Sequence, residues 1–251
     1  MENGSLYTHI QNKIAVIEFF HPAGNSLPGE LLARLAAAFN ELSVNDAVNV
    51  IILKSEKETT FCAGASFDEL SAISTVDDGN KFFLGFANVI NAMRKCSKLI
   101  IGRVQGKAVG GGVGLAAACD YCFATEQASI KLSEFTIGIG PFVIAPAVER
   151  KMGVAALGEL TLDATSWQNA YWAKEKGLFA KVYVTINEMD KEVDHLAVKL
   201  SQYNPEALKE MKKVLWEGTE HWDILLEERA KISGTLVLSE TTKNALQKFK
   251  K

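Results

Sequence analysis

Apolar residues fall at alternate positions over 6–10 and again over 14–20, and the polar run Gln11-Asn12-Lys13 separates the two stretches. A period of two suits strands with one face turned inward, so this segment reads as a β-hairpin. Turn-forming residues follow in His21-Pro22-Ala23-Gly24-Asn25-Ser26. Pro28 then stands where the first turn of a helix tolerates proline, and Leu31, Leu32, Leu35, Ala38, Phe39 and Leu42 recur at helical spacing. The run at 48–54 predicts a short buried strand. Residues 61–70 predict a strand, a glycine-bearing turn and a helix start, and 80–93 an amphipathic helix.

A further strand at 99–104 leads through Gly110-Gly111-Gly112 into the small-residue helix Leu115-Ala116-Ala117-Ala118. Strands and helices thus alternate in the first half, which implies a layered α/β core. Beyond Pro141 the pattern becomes helical, at 144–160, 167–176, 188–202, 206–216, 222–231 and 235–248. The expected organisation is an α/β core over 1–200 and a helical C-terminal region over 201–251, with no sequence repeat and no long linker. Trp167, Trp172, Trp216 and Trp222 all lie in this later part and read as packing residues, with subunit contacts as the alternative.

Composition narrows the possibilities. The chain has 251 residues, 48% of them hydrophobic, enough for a substantial core. Its 27 Lys plus Arg and 30 Asp plus Glu give a net charge of -3 and are spread along the sequence, which argues against a disordered acidic tail and against nucleic acid as a partner. No apolar run is long enough to span a bilayer, and Met1-Glu2-Asn3-Gly4 does not resemble a secretory leader, so the expected compartment is the cytoplasm, with no membrane partner. Cys62, Cys96, Cys119 and Cys122 read as buried free thiols in a reducing compartment. Neither these cysteines nor His21, His195 and His221 show the spacing of a metal site, and no Ser-His-Asp hydrolase pattern is present.

The chemistry concentrates at the glycines. Gly110-Gly111-Gly112, with Gly106 before and Gly114 after, suits a turn that a ligand or another segment approaches closely. A dinucleotide loop would need an acidic residue at the end of a second strand, and a phosphate loop a Lys-Ser or Lys-Thr ending; both are missing. A better use is a helix N-terminus whose free N–H groups face an oxygen that becomes negative. Cys62-Ala63-Gly64-Ala65 offers a second such turn. Glu134, set between the apolar stretches around Ile130 and Ile137, would have a raised carboxyl pKa if buried, as suits reversible proton transfer; a capping or surface role is the alternative.

Three stretches carry a resemblance: Phe61-Cys62-Ala63-Gly64-Ala65-Ser66-Phe67-Asp68-Glu69-Leu70; Gly106 through Leu115 followed by Ala118-Cys119-Asp120; and Ser133-Glu134-Phe135-Thr136-Ile137-Gly138-Ile139-Gly140-Pro141. In their order and spacing the chain resembles the crotonase superfamily, also called the enoyl-CoA hydratase and isomerase family, over nearly its whole length. The resemblance implies a spiral of ββα turns with a helical trimerisation region, a homotrimer or homohexamer, and an acyl-CoA thioester as substrate. Coenzyme A would be the carrier part of that substrate, with no tightly bound cofactor. The N–H groups of Ala65 and Gly111 would hold the thioester oxygen, and Ala63 and its neighbours would line the adenine site.

The family's hydratases resemble one another in placing two glutamates around one water. Here Gly114 stands at the first position and Glu134 at the second. Asp68, Glu69 or Asp120 could stand in for the missing carboxylate, although helix capping explains the first two and a buried structural role the third. With Gly114, and with Phe142, Val143 and Ile144 before Pro146, the chain is most similar to bacterial 3-methylglutaconyl-CoA hydratases. The expected reaction is therefore hydration of a branched 2-enoyl-CoA in leucine degradation. An enoyl-CoA isomerase with one glutamate and a non-catalytic acyl-CoA binding protein are the alternatives.

Overall fold

The computed structural model describes residues 4–249, with Phe249 described by its backbone only. Met1, Glu2 and Asn3 of the opening segment, and positions 250–251 of the expected C-terminal region, lie outside the described residues. The hairpin forms as the alternation predicts: β1 (Ser5–Gln11) and β2 (Ile14–Phe20) pair antiparallel about Asn12 and Lys13. These two turn residues have φ of 52° and 64°, the sign that lets a two-residue turn match the strands' right-handed twist. Pro28 caps α1 (Gly29–Ser43) from just outside rather than occupying its first turn.

From there the chain repeats one spatial motif: a strand in a large sheet, a strand in a smaller sheet, then a helical segment. The first round is β3 (Val50–Ser55), β4 (Thr60–Cys62), α2 (Phe67–Ala72) and α3 (Val76–Lys95). The second is β5 (Leu99–Val104), β6 (Lys107–Val109) and α4 (Gly111–Ala118). The third is β7 (Tyr121–Thr125), β8 (Ser129–Lys131), a 3-10 helix (Glu134–Ile137) and α5 (Ala145–Leu162). β9 (Gln168–Asn169), α6 (Ala170–Glu175), β10 (Lys181–Tyr183) and the helices α7 (Ile186–Gln202), α8 (Pro205–Leu215), α9 (Trp222–Leu236) and α10 (Glu240–Phe249) complete the chain.

Each round lays its strands beside those of the round before. The large sheet runs β1-β2-β3-β5-β7-β10, parallel from β2 onward, and the small sheet runs β4-β6-β8-β9, with its first three strands parallel. This is the expected mixed α/β spiral with a helical C-terminal region. The unbroken apolar run of β3 follows from its position between two layers. Ile51 and Leu53 face the main core, while Val50 and Ile52 join Ile101 and Phe123 against Met189, Val193 and Ala197 of α7.

Several boundaries differ from the sequence expectation. β7 to β10 are too short to display a clear period: β7 and β8 go unread ahead of Pro141, and β9 and β10 are strands beyond it, where only helices are expected. α3 begins at Val76, ahead of the expected 80, because Thr75 and Asp78 form a reciprocal capping box. The expected helices at 222–231 and 235–248 are α9 and α10, separated at Val237–Ser239. Gly234 does not end a helix. It lies within α9 at the crossing with α3, where a β-carbon on Gly79 would come within 2.6 Å of the Gly234 carbonyl oxygen. Among the described residues no helix is long and apolar enough to cross a membrane.

Candidate active site

The small sheet positions the site. β4, β6 and β8 are adjacent and parallel, and each runs at its C-terminal end into a turn that leads to a helical segment. Ala65, Gly111 and Glu134 lie two or three residues beyond these strand ends. All three border one cavity of about 310 Å3, as does Ala63. Open parallel sheets gather ligands at such strand ends, where successive turns converge.

Backbone bonds lock the first two turns together. Leu27 N–H donates to the Gly64 carbonyl at 2.8 Å and Ser66 N–H to the Leu27 carbonyl at 3.4 Å, which brackets Ala65 and leaves its N–H without a protein partner among the described residues. The segment at 21–27 is therefore a brace for this turn. Asn25 within it is buried and donates to the carbonyls of Glu56 and Thr60. Gly110 N–H donates to the Lys131 carbonyl at 2.9 Å, tying the second turn to β8. Gly111 is the first residue of α4, so its N–H has no acceptor within the helix. A β-carbon on Gly64, whose φ is 89°, would lie 3.5 Å from Gly111 N, so the two donor turns abut.

Glu134 opens the 3-10 helix, and its carboxyl lies against Gly110. The residue borders the cavity, yet its Oε2 is buried and has no hydrogen-bond partner among the described residues. Burial pushes its carboxyl from an ordinary 4.5 up to about 7, opposed by a hydrogen bond from its own backbone N–H. Such a group exchanges protons near neutral pH. α10 backs the segment, since a β-carbon on Gly138 would meet Thr242 Oγ1 at 2.6 Å, and Ser233 of α9 borders the cavity. The C-terminal helices of the same chain thus help to build the site.

None of the stand-in carboxylates reaches it. Asp68 is exposed on α2 and does not border the cavity. Glu69 turns away and caps a different helix, its Oε2 accepting the Gly29 N–H at 2.7 Å, while Ser66 caps α2 itself. Asp120 is spent on a buried cluster, accepting from Ile100 N–H, Lys212 Nζ and Trp216 Nε1, each at 2.7 Å. Among the described residues Glu134 is the one carboxylate bordering the cavity. Val143 and Ile144 form the wall, whereas Phe142 packs over Gly140.

Other lining residues escape a linear reading. Phe83 and Phe86 of α3 and Leu70 of α2 line the cavity, with Lys131, Ser133 and Trp167 around the same space. Lys107 and Lys131 each place Nζ 5.4 Å from the ring centre of the half-exposed Trp167. Lys107 opens β6 and Lys131 closes β8, so their approach to one ring is visible only once both strands are paired. Ala63 is exposed, with its N–H donated to the Gly24 carbonyl at 3.0 Å. The Cys62 thiol beside it is pushed up to about 12 by burial, so it stays protonated and inert.

The family model described as Enoyl-CoA hydratase/isomerase matches residues 9–250. Short-chain-enoyl-CoA hydratase of Clostridium acetobutylicum is 27% identical over 252 residues, covering 99% of this chain and 95% of that protein. The peroxisomal Delta(3,5)-Delta(2,4)-dienoyl-CoA isomerase of Arabidopsis thaliana is 29% identical over 211 residues, covering 78% of this chain and 74% of that protein. The crystal structure of enoyl-CoA hydratase from Bacillus halodurans shares the fold, with a TM-score of 0.89 at 21% identity and coverage of 97% of this chain and 99% of that one.

Proposed function

The chain belongs to the enoyl-CoA hydratase/isomerase family, and on that premise we propose that it adds water to a short, branched 2-enoyl-CoA with Glu134 as its single proton-transfer carboxylate. In this reading the thioester oxygen lies between the N–H groups of Ala65 and Gly111, which receive the charge of the enolate. Glu134 takes a proton from water as the oxygen bonds to the β-carbon, and the same carboxyl delivers a proton to the α-carbon. One water is consumed and the enzyme ends as it began. Ser133, which also borders the cavity, would help to orient the water.

The observation that carries the proposal is the unpartnered, buried Glu134 Oε2 in the cavity shared with Ala65 and Gly111. The cavity volume, about 310 Å3, is at the lower end for ligand pockets and favours a short acyl group. Val143 and Ile144 narrow its wall, in keeping with a branched chain. 3-Methylglutaconyl-CoA, an intermediate of leucine degradation, is the sharpest form of the proposal. Lys131 would then be the cation that meets its distal carboxylate, and Lys107 would serve the coenzyme A phosphates.

A second reading, double-bond isomerisation, is favoured by the single carboxylate in a cavity largely bordered by apolar residues such as Val143 and Ile144. One carboxylate suffices to carry a proton from the γ-carbon to the α-carbon. Incubation with straight-chain and branched enoyl-CoA thioesters in isotopically labelled water separates the two. Oxygen incorporation supports hydration; a shifted double bond without incorporated oxygen supports isomerisation; binding without turnover refutes both.

The proposal extends to assembly and compartment. Val154, Met211, Val214 and Ile224 expose apolar side chains on α5, α8 and α9, suited to contacts in a homotrimer or a pair of trimers. Four buried free thiols suit a cytoplasmic enzyme.

A further inference from the structure

Gly114 lies three residues after Gly111 on α4, so the two positions share a helix face. Gly111 borders the cavity and Gly114 does not. The Ile144 side chain accounts for the difference: a β-carbon at position 114 would lie 2.5 Å from Ile144 Cγ2 and 2.8 Å from Ile144 Cβ, inside any tolerable contact. Ile144 is itself 4% exposed and borders the same cavity as Glu134. Its backbone is held where α5 begins, with Ala145 N–H donating to the Pro141 carbonyl at 2.8 Å and Val148 N–H to the Ile144 carbonyl at 3.1 Å. A β-branched side chain on a fixed backbone has few rotamers with which to move aside.

We propose that Ile144 is a specificity-determining residue of this site: by filling the space of any side chain at position 114, it holds the cavity to one carboxylate and sets the balance between water addition and double-bond movement. The inference rests on Glu134 as the proton-transfer group. Water addition gains from a second group that holds the water while the first moves a proton. Position 114 lies one turn along α4 from the cavity-lining Gly111, and the space a side chain there would enter is taken by Ile144, which presents a branched alkyl wall to the cavity. The glycine at 114 is thus one half of a packed pair.

Two measurements test this. In the packing test, Gly114→Ala and Ile144→Gly, which removes both the Cγ2 and the Cβ contact, are made singly and together. Gly114→Ala should lower the melting temperature in the parent and have no such effect once Ile144 is truncated. Purely additive shifts would overturn the pairing. In the reaction test, Gly114→Glu, Ile144→Gly and their combination are assayed with a short branched enoyl-CoA in labelled water. The combination should raise the ratio of oxygen incorporation to double-bond movement by at least about tenfold over Ile144→Gly alone, while Gly114→Glu alone should not. A Gly114→Glu enzyme that folds and hydrates as well as the combination, or a combination with an unchanged ratio, overturns the proposal. Glu134→Gln is run in parallel. If it keeps full turnover, the proton-transfer reading fails, whereas the packing test still decides whether Ile144 fills that space.

Discussion

The carboxylate of Glu134 rests over the bare α-carbon of Gly110: a β-carbon there would lie 2.7 Å from Glu134 Oε1. Gly110 also has φ of 50° and ψ of -115°, where side chains are strained, so conformation and space both demand glycine. The turn that presents the Gly111 N–H is therefore also the surface against which the carboxyl packs.

Gly110→Ala should disturb both at once. The expected result is a loss of at least about tenfold in kcat together with a stability loss on the order of 1–2 kcal/mol from the left-handed backbone. Steady-state kinetics alongside chemical denaturation would check this. A folded variant with unchanged kcat would refute the tight packing of this turn against Glu134.

Glu134→Gln should reduce turnover by about 10²–10⁴-fold. In the parent enzyme, kcat/KM should rise with pH through about 7 as the working carboxylate ionises. Stability should run the other way. Between the ordinary 4.5 and about 7 the folded protein binds more protons than the unfolded chain, so stability falls as pH rises through that window and levels off above it. Melting curves of parent and variant should coincide below pH 4.5, with the variant higher at pH 8. A parent that gains stability over this window would contradict the buried carboxyl.

Lys131→Met and Lys107→Met should have separable effects. Lys131→Met should raise KM for 3-methylglutaconyl-CoA more than for an uncharged branched enoyl-CoA of similar size. Lys107→Met should raise both alike, by a factor that shrinks with added salt, because it is exposed and its charge is screened. Equal losses for both substrates on removing Lys131 would reassign it to the coenzyme.

Lys212→Met should cost about 3–5 kcal/mol in denaturant unfolding, because it strips the cation from a buried carboxylate. Lys212 and Asp120 side chains are 3% and 4% exposed and 2.7 Å apart. Adding Asp120→Asn should recover part of the loss. Activity per folded molecule should not change, because this cluster ties α8 to the strand β5 and lies outside the cavity.

Much of the fold was legible because long elements carry their own period: the hairpin, α1, β3 and the heart of α3 all follow from local alternation. The glycines at 64 and 110–112 marked strand-end turns, and Glu134 stood out as a carboxylate among apolar neighbours. Two- and three-residue strands such as β8, β9 and β10 have no period to read. They exist because the spiral lays each one against a neighbour already in place.

The partners of those residues were decided by tertiary structure alone. From the sequence, Glu69 is a first-turn acid of α2; in space it caps α1, forty residues away in the chain. Gly114 reads as a missing carboxylate until the start of α5 brings Ile144 over it. Glu134 meets Gly110 because β6 and β8 pair in one particular register, Ala108 with Ile130 and Val109 with Lys131. Local sequence specifies backbone conformation within a few residues, through dihedral preference and periodic burial. Which distant side chain fills a given space depends on how strands register and layers pack, and that is a property of the whole folded chain.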